Sequence, residues 1–309
     1  MQKVRSNTSR WWQVGCLVVI GLIAAWSPSP APWAAAAPSP QEPSIVRLAV
    51  VNATEFSGLF DVLGRDFQEQ TGYQLEVFSG SAGTVGDTVG DDDIFVEGPD
   101  GVADVLISHY GRKPVQQFVL DGLGLWPVTV FANTMALIGP SNDPANIRGL
   151  RDVVEAFRRI AETESPYVSN AIRQAKYLED IIWEAAGRPP KTAWYIDEGA
   201  RAGEAVDAAA AIGAYTLWGA FPFLQHQQEF QLDLELMVAE DPLLQRLMVA
   251  IAVNPEKFPV RNFEGGQALL RYLLTPAAQT RIRAFRIPGV DLQLWWPMGR
   301  SNSADSFPR

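Results

Sequence analysis

The chain has 309 residues, with 25 Lys and Arg against 35 Asp and Glu, one cysteine and two histidines. Its net charge of −10 makes nucleic acid and anionic lipid surfaces poor partners. Cys16 alone permits no disulfide and no thiolate metal centre, and His109 and His226 leave little material for histidine-based metal or triad chemistry.

Residues 1–37 read as a signal peptide. Lys3, Arg5 and Arg10 form a basic start, residues 14–26 an apolar stretch, and Ala34-Ala35-Ala36-Ala37 an A-x-A cleavage site, with the cut expected after Ala36. The apolar run is shorter than the roughly 20 residues of a spanning helix, so export without stable membrane insertion is expected. Cys16 precedes most of the apolar run, unlike a lipoprotein cysteine. Without the leader's three cations, 22 basic residues face 35 acidic ones, a net charge near −13.

The mature chain opens on a β-branched run at 45–51, then a polar turn, then a helix whose Leu59, Phe60, Leu63 and Phe67 share one face. In the turn, Thr54 and Ser57 are candidate helix caps. A strand ending at a helix start also gathers amides and hydroxyls suited to an anion, which makes Asn52, Thr54 and Ser57 candidate ligand groups as well. A second strand at 74–78 leads into the small-residue loop 79–84, with Ser81 and Thr84. The acidic stretch 87–100 around Asp91-Asp92-Asp93 lacks the spacing of a calcium loop and reads as a solvated insertion.

Further strands are expected at 103–108, ending at His109, and at 126–131 and 135–138, with Ala132-Asn133 between them as an interruption. A helix starts near Pro114, and Leu150, Val153, Val154, Phe157 and Ile160 mark another. Residues 165–169 lead into a helix that ends at Ala186-Gly187. Strands at 194–196, 214–217, 232–238 and 248–253 and helices at 203–211, 264–274 and 276–285 complete the pattern. Alternating strands and helices argue for α/β architecture with mainly parallel sheets. In such sheets the ligand crevice lies at the C-terminal strand ends, which adds His109, Ser169 and Thr216 to the candidates. There is no G-x-S-x-G, no metal-ligand spacing and no recognised phosphate loop, so no catalytic residue, metal or cofactor is expected.

Several stretches together resemble the tungstate-binding proteins of bacterial ABC importers. They are LAVVNATEFSGL (48–59), ADVLISH (103–109), Ala132-Asn133-Thr134-Met135, Leu137-Ile138-Gly139-Pro140, Asp143-Pro144-Ala145, Tyr167-Val168-Ser169, Gly213-Ala214-Tyr215-Thr216-Leu217 and AIAVNPEKFP (250–259). The resemblance implies a two-lobed periplasmic-binding-protein-like fold of type II with a hinge of crossover strands. It implies a first lobe of 44–130 and 235–296, a second lobe of 131–234, and a disordered tail at 297–309. The candidate ligand residues are then Asn52, Thr54, Ser57, Ser81, Thr84, His109, Asn133, Ser169, Arg173 and Thr216.

The ligand loops depart from that family. Where it reads TTTST, this chain has Val50-Val51-Asn52-Ala53-Thr54; where it reads SRGDxSGT, this chain has Ser169-Asn170-Ala171-Ile172-Arg173-Gln174-Ala175. Its Asp-Arg after GAYTL is replaced within Trp218-Gly219-Ala220-Phe221-Pro222. Arg173 or Arg201 are the replacement cations in view. Trp194, Tyr195, Trp218 and Phe221 suit either an aromatic cleft for an organic solute or plain packing. The expected partners are a tungstate-like oxyanion or an organic solute, and ABC permease subunits. A ligand sensor or interaction module outside transport is the alternative.

Overall fold

A computed structural model describes residues 44–51, 54, 57–79 and 103–298. Among these residues are ten strands and eight α-helices. No described helix is long and apolar enough to cross a membrane. The expected signal peptide, the loop with Ser81 and Thr84, and the acidic insertion lie outside the described residues.

Strand β1 (Ile45–Val50) pairs in parallel with β2 (Gln74–Ser79) on one side and β3 (Val105–His109) on the other. Helix α1 (Leu59–Thr71) makes the crossover from β1 to β2, and the predicted face of Leu59, Phe60, Leu63 and Phe67 is buried. The helix is bounded by Gly58 and Gly72 at φ of 79° and 78°, the left-handed region in which glycine has no Cβ penalty. Helix α2 (Lys113–Leu120) follows β3, with Val115 and Phe118 inward.

The centre of the sheet is β4 (Val128–Pro140), a single strand of 13 residues. The sequence pattern suggests a break at Ala132-Asn133, and no break occurs. Polar side chains interrupt a buried strand only when they lack partners, and here they have them. The Asn133 carboxamide pairs with His109, and the Thr134 hydroxyl lies 2.8 Å from the carbonyl of Met135 and 3.0 Å from that of Ala239.

The two ends of β4 belong to different halves of the molecule. Residues 128–134 pair antiparallel with β9 (Gln245–Ala252), and 131–133 also pair with β10 (Trp295–Pro297). Residues 135–140 pair antiparallel with β7 (Tyr215–Gly219) and β8 (Leu234–Val238). Beyond β7 come β5 (Tyr167–Val168) and β6 (Tyr195–Ile196), both parallel. The strand order is β2-β1-β3-β9-β4-β7-β5-β6, so pairing is parallel toward both outer ends and antiparallel around β4.

Five further helices complete the layers, three on the second half and two packed beside α1 on the first. They are α3 (Val153–Glu162), α4 (Arg173–Ala185), α5 (Gly203–Ile212), α7 (Phe263–Leu273) and α8 (Pro276–Ala284). Side chains of Asp152, Asn262 and Thr275 accept from first-turn amides of α3, α7 and α8, which satisfies donors that a helix leaves orphaned. One more helix, α6 (Ala220–Phe230), is not foreseen in the sequence. Pro222 hides it, yet a proline in the first turn removes no intrahelical bond.

A main apolar cluster runs from Val46 and Phe67 through Ala136 and Ile138 of β4 to Val206 and Phe223 beneath α5 and α6. A second cluster, on the opposite face of the second half, contains Leu137, Phe157, Tyr167, Trp183, Trp194 and Tyr215. The ordered fold also extends past the expected tail boundary at 297. Pro297 is a buried residue of β10, and the Met298 amide donates to Gln279 Oε1 at 2.6 Å. Residues 299–309 lie outside the described residues.

Candidate functional site

The topology brings the C-terminal ends of four parallel strands to the middle of β4. His109 ends β3 and lies one strand from β4, across β9, while β1 ends beside β3. Gly219, the last residue of β7, lies opposite Met135, and β5 ends beside β7. Strand ends of both halves thus meet near residues 133–135, the kind of place at which α/β sheets hold their ligands.

On the first half, His109 and Asn133 are buried at 5% and 6% exposure. The His109 Nε2 lies 3.2 Å from Asn133 Nδ2 and 3.3 Å from Oδ1, so the pair holds in either imidazole tautomer. Thr54, just past β1, is fully buried, and its hydroxyl has no hydrogen-bond partner among the described residues. Ser57 is engaged by the chain itself. Its hydroxyl donates to the Thr54 carbonyl at 2.9 Å and accepts from the Leu59 amide at 3.2 Å. That serves the start of α1 in the manner of a cap, although the N-cap position is Gly58. Asn52, Ser81 and Thr84 lie outside the described residues.

On the second half the polar groups turn inward. Glu179 of α4 is 1% exposed and gathers donors from Tyr167 (3.1 Å), Ser169 (2.8 Å) and Tyr195. Lys191 and Lys176 approach it at 3.4 and 3.6 Å. Lys176 Nζ also donates to Ser169 Oγ at 2.8 Å and to Asp197 at 2.6 Å. Ser169 thus has both its donor and an acceptor site occupied by the protein. Burial, then the Glu179 carboxyl, pushes the Tyr167 phenol well above the usual tyrosine range. For Lys176, burial works downward, but its hydrogen bonds to Asp197 and Tyr195 outweigh it and raise the ammonium above the ordinary lysine range.

Asn170 is likewise structural. Its Oδ1 accepts from the amides of Ala202 (3.0 Å) and Ile172 (3.3 Å), which ties the loop before α5 to the start of α4. Arg173 is exposed at the first position of α4, and Arg201 donates to the Ala171 carbonyl at 3.3 Å. Thr216, the second residue of β7 and three before its end, is fully buried, opposite Val168 and Ile138 of the main apolar cluster. It therefore faces away from Ser169, the next residue after Val168. Trp194 stacks on Trp183 at 5.6 Å within the second cluster, and Trp218 meets His226 edge-on at 5.9 Å. These aromatics pack the second half.

One residue at the junction is absent from the sequence-based candidates. Arg246, near the start of β9, lies opposite Asn133, and its Nη2 comes within 3.7 Å of the Cβ position that Gly219 lacks. No local pattern marks it, because strand pairing across more than a hundred residues is invisible in the sequence. Among the described residues no cluster of His, Asp and Glu is arranged to hold a metal ion. Two surface hollows, of about 440 and 600 Å³, lie elsewhere, against Phe263 and Arg271 and against Asp61 and Arg65.

The sequence model of the bacterial extracellular solute-binding proteins matches residues 48–285. The chain belongs to that family. Members of this family are solute-binding proteins and not enzymes. Among relatives, the tungstate-binding protein of Peptoclostridium acidaminophilum is 29% identical over 238 residues, 76% of this chain and 79% of the relative. A Haloferax volcanii protein named for anion binding in an ABC transporter is also 29% identical, over 83% of this chain and 72% of its own. Among solved structures, the tungstate-binding protein of Desulfovibrio alaskensis G20 aligns at a TM-score of 0.64 and 25% identity, covering 83% of this chain and all of the other. A tungstate ABC transporter structure from Geobacter sulfurreducens aligns at 0.57 and 26%, covering 78% and 98%. The α/β periplasmic-binding-protein fold expected from the sequence is therefore the fold of this solute-binding protein.

Proposed function

We propose that this chain is the exported solute-binding component of an ABC importer and that it traps a small oxyanion between two lobes. The observation that carries this reading is the convergence of strand ends from both halves on residues 133–135 of β4. The first lobe would comprise 44–134 and 245–297, and the second 135–244, so that the chain passes between them at Thr134 and again after β8. The names of the relatives, for tungstate and for anions, support an oxyanion over an organic solute. The packing of Trp183, Trp194 and Tyr195 into the second core supports the same choice, since it removes those rings from a cleft.

The test is titration calorimetry of the full exported chain, unfolded and refolded to remove any co-purified ligand, with tungstate, molybdate and sulfate. Tight binding of at least one is expected. Anion at about 100 times its Kd would then stabilise the folded state by about 2.7 kcal/mol, visible as a higher melting temperature. No heat and no thermal shift with any of the three would overturn the oxyanion assignment.

A further inference from the structure

We infer that Asp241 is a positioning residue for lobe closure. It fastens the returning segment 239–244 to the second half and so confines the hinge to two adjacent peptide links, 134–135 and 244–245. The inference rests on the reading of two closing lobes above and names the residue that sets where they turn.

Among the described residues the chain changes halves twice. The first place is within β4. Up to Thr134 that strand is held by β9, with β10 on its other side at 131–133, and from Met135 it is held by β7 and β8. The second place is less plain, because β8 ends at Val238 and β9 starts only at Gln245. The connection between them is irregular apart from one short 3-10 turn, Pro242–Leu244. A loop of that kind is the usual place for a hinge.

Here the connection is fixed. Asp241 is 6% exposed, and one carboxylate oxygen accepts from the Val153 amide at 2.7 Å, the other from the Leu243 amide at 2.8 Å. Val153 is the first residue of α3, where the partial positive charge of a helix start suits a carboxylate. Neighbouring contacts act in the same direction. The Gly149 amide donates to the Met237 carbonyl at 3.0 Å, Arg151 pairs with Glu240 at 3.2 Å, and Leu244 is fully buried in the second cluster.

The second half thus runs as one body through Leu244. The next residue, Gln245, already stands opposite Thr134 on β4. The two places of change therefore lie side by side in the sheet. Neighbouring links allow rotation about one axis, whereas a loose connection would let the halves swing in several directions. Asp241 makes closure one repeatable motion, which lowers the ordering cost of trapping a ligand.

Cys16 is the only cysteine, so spin labels can be placed at will in the full chain carrying Cys16→Ser. Leu120 on α2, Tyr177 on α4 and Leu243 are exposed positions for them. Pulsed electron paramagnetic resonance would compare Tyr177→Cys with Leu243→Cys, and Leu120→Cys with Leu243→Cys. The 177–243 distance is expected to be narrowly distributed and unmoved by tungstate. The 120–243 distance should be broader and should shift when tungstate binds. A 177–243 distribution as broad as the other, or shifted by tungstate, would overturn the inference and leave the closing lobes intact. A 120–243 distance that does not shift in a chain that binds tungstate would overturn both. Should tungstate not bind, the oxyanion reading falls, and the two widths measured without it still decide the inference.

Asp241→Ala should broaden the 177–243 distribution. It should weaken tungstate by about 10-fold, equivalent to re-ordering the backbone of about one residue on closure. Asp241→Asn, which keeps one acceptor, should fall between. An Asp241→Ala chain with unchanged width and affinity would overturn the role of Asp241.

Discussion

His109 and Ser169 both stand at the C-terminal end of a parallel strand, one in each half, yet their surroundings differ in kind. Ser169 is wrapped by Glu179, Lys176 and their partners, a closed set of hydrogen bonds within one half. His109 and Asn133 form a pair at the junction, with Arg246 alongside. The same position in the same kind of fold thus serves cohesion on one side and presents polar groups at the junction on the other. A polar residue at a strand end is therefore only a candidate. What decides its role is the set of partners that the fold brings to it.

The sharpest way to break this comparison is Glu179→Ala. Removing the acceptor leaves two phenols, a hydroxyl and two ammonium groups around an empty place, and the loss of one partner from a buried ionic network costs about 3–5 kcal/mol. Urea unfolding should register that loss. A change below 1 kcal/mol would mean that the network is not cohesive. On the first half, Asp66 is a smaller counterpart. Its hydrogen bond from Arg281 at 2.6 Å, aided by Tyr272 at 2.8 Å and Gln70, holds its carboxyl down to about 2, against the usual 3.8. The stabilisation is complete above the usual value and is lost as the pH falls toward 2. Asp66→Asn should cost about 1–3 kcal/mol at neutral pH and flatten the stability curve between about pH 4 and pH 2. An acid profile identical to that of the unsubstituted chain would exclude Asp66 from acid unfolding. The smallest expected effect is that of Thr134→Val, about 1 kcal/mol, from one lost hydrogen bond to the segment that returns between the halves. Chemical denaturation of this variant sharpens the comparison at the junction itself.

Much of the fold is legible in the sequence because it is written in local periodicity. Leu59, Phe60, Leu63 and Phe67 announce α1, and the β-branched run before them announces β1. The continuity of β4 is not legible, because Asn133 and Thr134 look like an interruption until their distant partners His109 and Ala239 are known. Glu179 left a faint signal. It falls between Ala175 and Ile182 on the apolar stripe of α4, where a carboxyl demands partners. Arg246 left none, since a cation at a strand start becomes meaningful only through Asn133 opposite it and Gly219 one strand beyond.

The long central strand also sets an order of assembly. Everything from Met135 to Leu244 is contiguous in the chain, so the second cluster has all its residues before β9 is synthesised. β3, by contrast, has one neighbour in β1 from the outset but waits for β9 to cover its other edge. An unpaired edge is a site for unwanted strand pairing. During synthesis the inserted half therefore has the means to settle first, while the half that holds both ends of the described chain stays open until its last strands arrive.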